Sequence, residues 1–307
     1  MEASIKRKFN LIFILIILLL FKFNIVTNSL TSKNQNNSYN RELSVEYALK
    51  WSISSNNQYY NYVNDGGDCT NFVSQALRAG GIKFVGSKAN ATSIKSWFYY
   101  SPNLPNRTHT WTAAEPFHLH FREENQRSYR YREYKIIDAL NNWDEICMNL
   151  YPGDIVQYAR TNNIAFHSQV ITELISDRKV VYFCQHSNTM ANFIRNGKLK
   201  YYLMGKPNNY NFYIYNIKND NSVPNDIKSL IYILTEEDYR KELIDALSII
   251  KVSLEDTRFD IEENNIEETN DFVEKMNRRI EEVEFNMNTR LKSSKELLEF
   301  LISRENL

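Results

Sequence analysis

The sequence predicts an α+β fold followed by an all-helical tail. Three observations carry that expectation: an amphipathic helix that begins on Cys69, three short β-like runs between residues 151 and 188, and apolar residues at steps of three and four from about Thr235 onward. A length of 307 residues fits one or two domains. With 43% apolar and 24% charged residues, wholesale disorder and collagen-like repeats are excluded. Basic and acidic residues balance at 37 each, which argues against a dedicated nucleic-acid binder. The balance is uneven along the chain. Residues 225–307 hold 21 acidic and 12 basic side chains, a net of −9, which leaves +9 on the remainder.

The elements follow in order. Lys6-Arg7-Lys8 precedes the apolar run LIFILIILLLF, residues 11–21. A positive segment before an apolar run of that length reads as a secretory signal, shorter than the ~20 residues of a membrane span. Thr27-Asn28-Ser29 offers small residues for cleavage, so residues 1–29 are expected to be a signal peptide or an uncleaved N-terminal anchor. The rest of the protein is then secreted or in the cell envelope, touching a membrane only through this segment. Residues 30–40 form a polar linker. Residues 44–52, SVEYALKWS, read as a short helix with Ser44 as N-cap.

Residues 68–82, DCTNFVSQALRAGGI, place Phe72, Val73, Ala76 and Leu77 at helical spacing, with Gly80-Gly81 as the stop. Cys69 therefore sits in the first turn, where free N–H groups and the helix dipole favour thiolate and could hold an oxyanion. Asp68 and Thr70 flank it at that oxyanion or substrate position. Asp68 reads first as a helix N-cap, and Asn71 and Gln75 read as polar helix-face residues. A nucleophilic cysteine needs a base. Of five histidines, His167 opens the strand-like run HSQVITEL. YPGDIVQYA before it and KVVYFCQHSN after it complete an antiparallel meander. A cysteine-bearing helix followed by a histidine-bearing sheet is the papain-like order.

DCTNFVSQALRAGG, NQYYNY, THTWTAAEPFHLHF, PGDIVQY, FHSQVIT and CQHSN, in that order over residues 41–217, resemble the bacterial putative amidase domain family. That family is similar to the NlpC-type and CHAP peptidases and amidases of the papain-like superfamily. The resemblance implies a papain-like cysteine amidase domain, with Cys69 as nucleophile and His167 as general base and acid. It also implies a third polar residue on the next strand. His186 matches that place best, with Asn188 and Gln185 as alternatives. A third-member histidine would have to be a neutral tautomer accepting from His167, whereas an amide would accept through its carbonyl. The implied substrate is an amide in peptidoglycan or in a peptide. The rivals are a cysteine peptidase acting on proteins and an inactive wall-binding or assembly module.

No cofactor or metal is expected. His118-Leu119-His120 cannot share a metal on a helix, where the two rings point about 200° apart. Cys147 and Cys184 read as two buried thiols, with a disulfide as the alternative in an exported protein. Trp111 reads as core. REENQRSYRYREYK, residues 122–135, interleaves basic and aromatic residues; it reads as a solvated face, or a contact for a wall polyanion rather than nucleic acid.

After Val223-Pro224-Asn225, residues 225–307 read as two long helices folded back in a coiled-coil-like hairpin. Thr235 and Thr269 are the expected N-caps. The tail holds no His or Cys. It reads as an appendage packed on itself or on the front domain, or as the surface for self-association or for a protein partner.

Overall fold

The computed structural model describes residues 38–122, 127–175, 179–218, 235–264, 270–289 and 293–303. The leader, most of the linker, the Val223-Pro224-Asn225 boundary and Thr269 lie outside the described residues. Among those described, no helix is long and apolar enough to cross a membrane.

Helix α1 spans Arg41–Trp51. It begins four residues earlier than Ser44 as N-cap would place it, because Asn40, an equally good cap, accepts from the Leu43 N–H at 3.0 Å. Ser44 lies inside the helix and is fully buried. Helix α2, Cys69–Ala79, keeps the expected limits. Phe72, Val73, Ala76 and Leu77 have no exposure, which for each large side chain is worth roughly 1.5–3 kcal/mol. Gly81 takes φ +95° just beyond the helix, a left-handed turn that favours glycine. Two short helices, α3 (His109–Thr112) and α4 (Ala114–Phe121), follow.

The sheet has six strands: β1 Arg130–Lys135, β2 Ile155–Ala159, β3 Ala165–Ile175, β4 Val180–Gln185, β5 Ile194–Lys198 and β6 Asn211–Asn216. Their order is β1-β6-β2-β3-β4-β5, every neighbouring pair antiparallel. The expected meander is its β2-β3-β4 part. The basic-aromatic stretch supplies edge strand β1, where Arg132 and Lys135 donate to Asn216 and Asn211 of β6 at 2.7 and 2.6 Å.

Helices cover both faces. On one, α1, α2 and α4 pack with Ile155, Val170 and Cys184. On the other, α5 (Ile136–Asn141), α6 (Trp143–Met148) and α7 (Leu199–Met204) pack with Val156, Ile171, Val181 and Phe183. Cys147 belongs to the second core and Cys184 to the first, so the sheet separates them and both are free thiols.

Among the described residues the tail forms three helices rather than a two-helix hairpin: α8 Glu236–Asn264, α9 Asn270–Thr289 and α10 Ser294–Ile302. Thr235 caps α8, accepting from the Asp238 N–H at 3.1 Å. The third helix follows a complete capping box made by Ser293 and Glu296. Leu247, Ile250 and Leu254 of α8 share a core with Met276, Ile280 and Val283 of α9 and with Leu297 and Leu301 of α10. Tyr201 and Met204 of α7 join that same core, so the tail packs on the sheet domain as well as on itself.

Candidate active site

The sheet and helix α2 bring Cys69 and His167 together. Cys69 is the first residue of α2, so its N–H has no acceptor within the helix. The helix start is tied to β3 by the Thr70 and Ser168 hydroxyls, 2.9 Å apart. Burial alone would raise the Cys69 thiol. The His167 charge and hydrogen bond outweigh it, helped by the Thr70 hydroxyl and the Ser168 backbone, and the thiol lies below its ordinary value. For His167, burial disfavours the charged ring, but the Cys69 and Asp256 charges and the Cys69 hydrogen bond outweigh that penalty and the Lys206 charge, raising it. Both shifts favour a thiolate–imidazolium pair. The other two thiols move the opposite way. Burial pushes Cys147 up to about 11 and also raises Cys184.

The residue that orients His167 is Gln185. His167 Nε2 lies 2.8 Å from Gln185 Oε1, which also accepts from Gln169 Nε2 at 2.7 Å. The Gln185 amide can face only one way. Its Nε2 donates to the Asn192 carbonyl at 3.0 Å and to Asp256 Oδ2 at 3.1 Å, both pure acceptors. His167 Nε2 therefore carries the proton, and Nδ1 is left for the thiol. The ring stacks on Tyr202, 5.8 Å between centroids.

His186, expected in that orienting position, is elsewhere. Its Nδ1 lies 2.6 Å from Asp68 Oδ2, and its Nε2 lies 2.7 Å from the Trp51 carbonyl. Both ring nitrogens are engaged there, so neither is offered to His167. It is sandwiched between Phe72 and Phe193, at 4.1 and 3.8 Å. Asn188 is not the third member either; its side chain accepts from the Ser187 hydroxyl at 3.0 Å. Strand alternation explains the outcome. Gln185 continues the face of Val181 and Phe183, opposite Ile171 and Gln169, while Cys184 turns to the other face. That period of two is visible in VVYFCQHSN, but which of its two faces meets His167 is set by the register of β4 against β3.

Asp68 and Thr70, expected to serve substrate or oxyanion, turn inward. Asp68 occupies the N-cap position without making the capping bond. Its carboxylate accepts from the Tyr62 N–H at 3.0 Å, Asn71 Nδ2 at 2.8 Å and His186. Asn71 also accepts from Trp111 Nε1 at 2.8 Å, and Gln75 accepts from the Tyr47 hydroxyl at 2.6 Å, so both are buried structural groups. His118 and His120 part company: His118 Nδ1 meets the Tyr215 hydroxyl at 2.7 Å, and His120 Nδ1 the Ile94 carbonyl at 2.6 Å. Burial pushes them down to about 4 and about 3.

Cys69 and His167 lie in a cleft of about 610 Å³. Its walls include Tyr62, Arg107, Glu115 and Phe166. The family described as "Putative amidase domain" matches residues 38–215, more than half of the chain. The chain belongs to this amidase family. Comparisons with curated proteins and with solved structures returned no match. Membership assigns amidase-type hydrolysis, acting on C–N bonds, to the matched region. The amidase match stops before the tail, yet the tail reaches the cleft. Asp256, Phe259, Asp260 and Glu263 of α8 line it. Asp260 pairs with Arg160 of the amidase region through Nε at 2.9 Å, both side chains nearly buried. Lys206, completely enclosed and pushed down to about 8 by burial, donates to the Ser253 carbonyl and Thr257 hydroxyl at 2.9 and 3.0 Å. No sequence signal pointed to Asp256, Asp260 or Lys206.

Proposed function

We propose that this amidase is an exported cysteine hydrolase that cleaves an amide bond in peptidoglycan. The observation that carries the cysteine mechanism is the contrast among the three thiols. Cys69 alone is lowered, and it alone faces a histidine held by an amide. A nucleophile at a helix start, followed in the chain by a strand-borne base, is also the papain-like order.

The Cys69 thiolate attacks the amide carbonyl carbon, and the charge that develops on oxygen falls near the helix N-terminus and the Cys69 N–H. Imidazolium His167 gives its Nδ1 proton to the leaving nitrogen, the C–N bond breaks, and a thioester remains. Neutral His167 then takes a proton from water, which attacks the thioester and releases Cys69 and the acid. Gln185 keeps the proton on Nε2 throughout. The leader-like Lys6-Arg7-Lys8 with its apolar run, and the resemblance to cell-wall amidases and peptidases, support export and the wall substrate.

Cys69 alkylation by iodoacetamide against pH, each thiol followed by peptide mass spectrometry, tests the pair without a substrate. The midpoint should lie well below the ~8.5 of a free thiol, and His167→Ala should bring it back. The pair exists only between the lowered Cys69 value and the raised His167 value. Turnover should therefore fall on the acid side as the thiolate protonates and on the alkaline side as the imidazolium deprotonates. On purified peptidoglycan, Cys69→Ala should lose roughly 10³-fold or more. Full activity in Cys69→Ala would overturn the mechanism; wild-type protein inert on peptidoglycan but active on peptides would move the substrate.

A further inference from the structure

We propose that Asp256, on tail helix α8 and outside the matched family region, is a positioning residue of the active site: through Gln185 it fixes the His167 ring, and its negative charge favours the imidazolium opposite the Cys69 thiolate. The proposal rests on the cysteine–histidine reading above.

The geometry is specific. The Asp256 side chain is 3% exposed. Oδ1 accepts from the Ser187 hydroxyl at 2.5 Å and from Asn192 Nδ2 at 3.5 Å. Oδ2 accepts from the Tyr202 hydroxyl at 2.5 Å and from Gln185 Nε2 at 3.1 Å, and lies 3.9 Å from His167 Nε2. All four donors are neutral. A buried carboxylate is costly unless a positive charge is near. Lys206, the other enclosed cation nearby, donates to Ser253 and Thr257. The imidazolium that forms on His167 when Cys69 ionises lies within ion-pair distance of Asp256, whose charge also acts on Lys206.

The carboxylate also has little room to turn. Tyr202 and Ser187 hold it from the sheet domain, and the Arg160–Asp260 pair one turn further on holds the helix. Gly205 permits the approach, since a Cβ there would overlap Ser253. The groups facing His167 are Cys69 from α2, Tyr158 from β2, Tyr202 from α7, Lys206 just beyond α7, and Asp256 from α8. Both phenols are held far above their usual range by burial and stay neutral. Of the charged groups around the ring, Asp256 favours the imidazolium and Lys206 opposes it.

The test uses the full chain and the alkylation profile of Cys69. Asp256→Asn keeps the shape and removes the charge. It should raise the Cys69 midpoint by one pH unit or more, about a tenfold loss of thiolate on the acid limb, while Asp256→Glu returns part of the shift. Asp260→Asn breaks the docking pair without touching Gln185, and should shift the midpoint much less than Asp256→Asn. Should Asp256→Asn fail to fold, Asp256→Ser is measured with and without formate, and formate must lower the midpoint. An unchanged midpoint in Asp256→Asn overturns the proposal. Equal shifts in Asp256→Asn and Asp260→Asn, with equal gains in protease sensitivity, also overturn it, because helix docking alone would then explain both. An ordinary wild-type midpoint that His167→Ala does not move would instead overturn the underlying cysteine–histidine reading.

Discussion

Gln185 is one amide with four polar contacts. Its oxygen accepts from His167 and Gln169, and its nitrogen donates to Asn192 and Asp256. Because both partners of its nitrogen can only accept, the side chain dictates the histidine tautomer as well as its orientation. Gln185→Ala should therefore lower turnover by roughly 10²-fold or more through misplacement of His167, with the Cys69 midpoint rising. His186 is the contrasting case. It bridges Asp68 and Trp51, at the base of the loop that leads into α2. His186→Ala should cost about 2–3 kcal/mol of stability, the scale of a buried hydrogen bond to a charged group, and leave the Cys69 midpoint near wild type. Thermal melts and alkylation profiles of the two variants, taken together, separate these roles; a large midpoint shift in His186→Ala with unchanged stability would reverse the assignment.

Helix α8 works with two faces. Leu243, Leu247, Ile250 and Leu254 bury against α9 and α10. Ser253, Asp256, Thr257 and Asp260, at helical spacing, bury against the sheet domain and its cleft. The second face is polar, so its fit depends on hydrogen-bond geometry rather than on apolar area. At Gly205 the backbone of the sheet domain comes close to the helix, beside Ser253 and Ile250. Gly205→Val should push α8 outward, at a cost of about 1–3 kcal/mol from overpacking. It should also weaken the Asp256–Gln185 contact. The expected result is a lower melting temperature together with a raised Cys69 midpoint. A lowered melting temperature with no change at Cys69 would mean that the helix can shift without disturbing the site.

At the scale of the molecule, catalysis and tail belong to one unit. The family match covers residues 38–215, but part of the cleft wall and the carboxylate behind Gln185 come from residues 256–263. Removing residues 219–307 would uncover Tyr201 and Met204 of the shared core and leave the Arg160 guanidinium without its carboxylate. The truncated protein should keep much of its sheet, judged by circular dichroism, yet show a Cys69 midpoint near that of an ordinary thiol. A truncated protein with the wild-type alkylation profile would show that the tail is dispensable to the site.

The sequence alone determined the elements with strong local signals. The helix opened by Cys69 was legible from its apolar spacing and glycine stop, and the β2-β3-β4 meander from its β-branched runs and turn residues. His167 was legible because a nucleophilic cysteine needs a base at the head of a following strand. The α8 and α9 helices were legible from their period. Strands β1, β5 and β6 were not, because a sheet edge and a returning strand are defined by partners distant in the chain. Only the tertiary structure decided between Gln185 and His186, since which side chain meets His167 depends on the register of β4 against β3. The tertiary structure likewise decided what the polar face of α8 is for. In sequence, nothing sets Ser253, Asp256, Thr257 and Asp260 apart from the other polar residues of the tail. They are buried because Arg160, Gln185, Tyr202 and Lys206, brought together from three other parts of the chain, satisfy them. Local periodicity records which residues avoid water; it does not record which polar residues find one another.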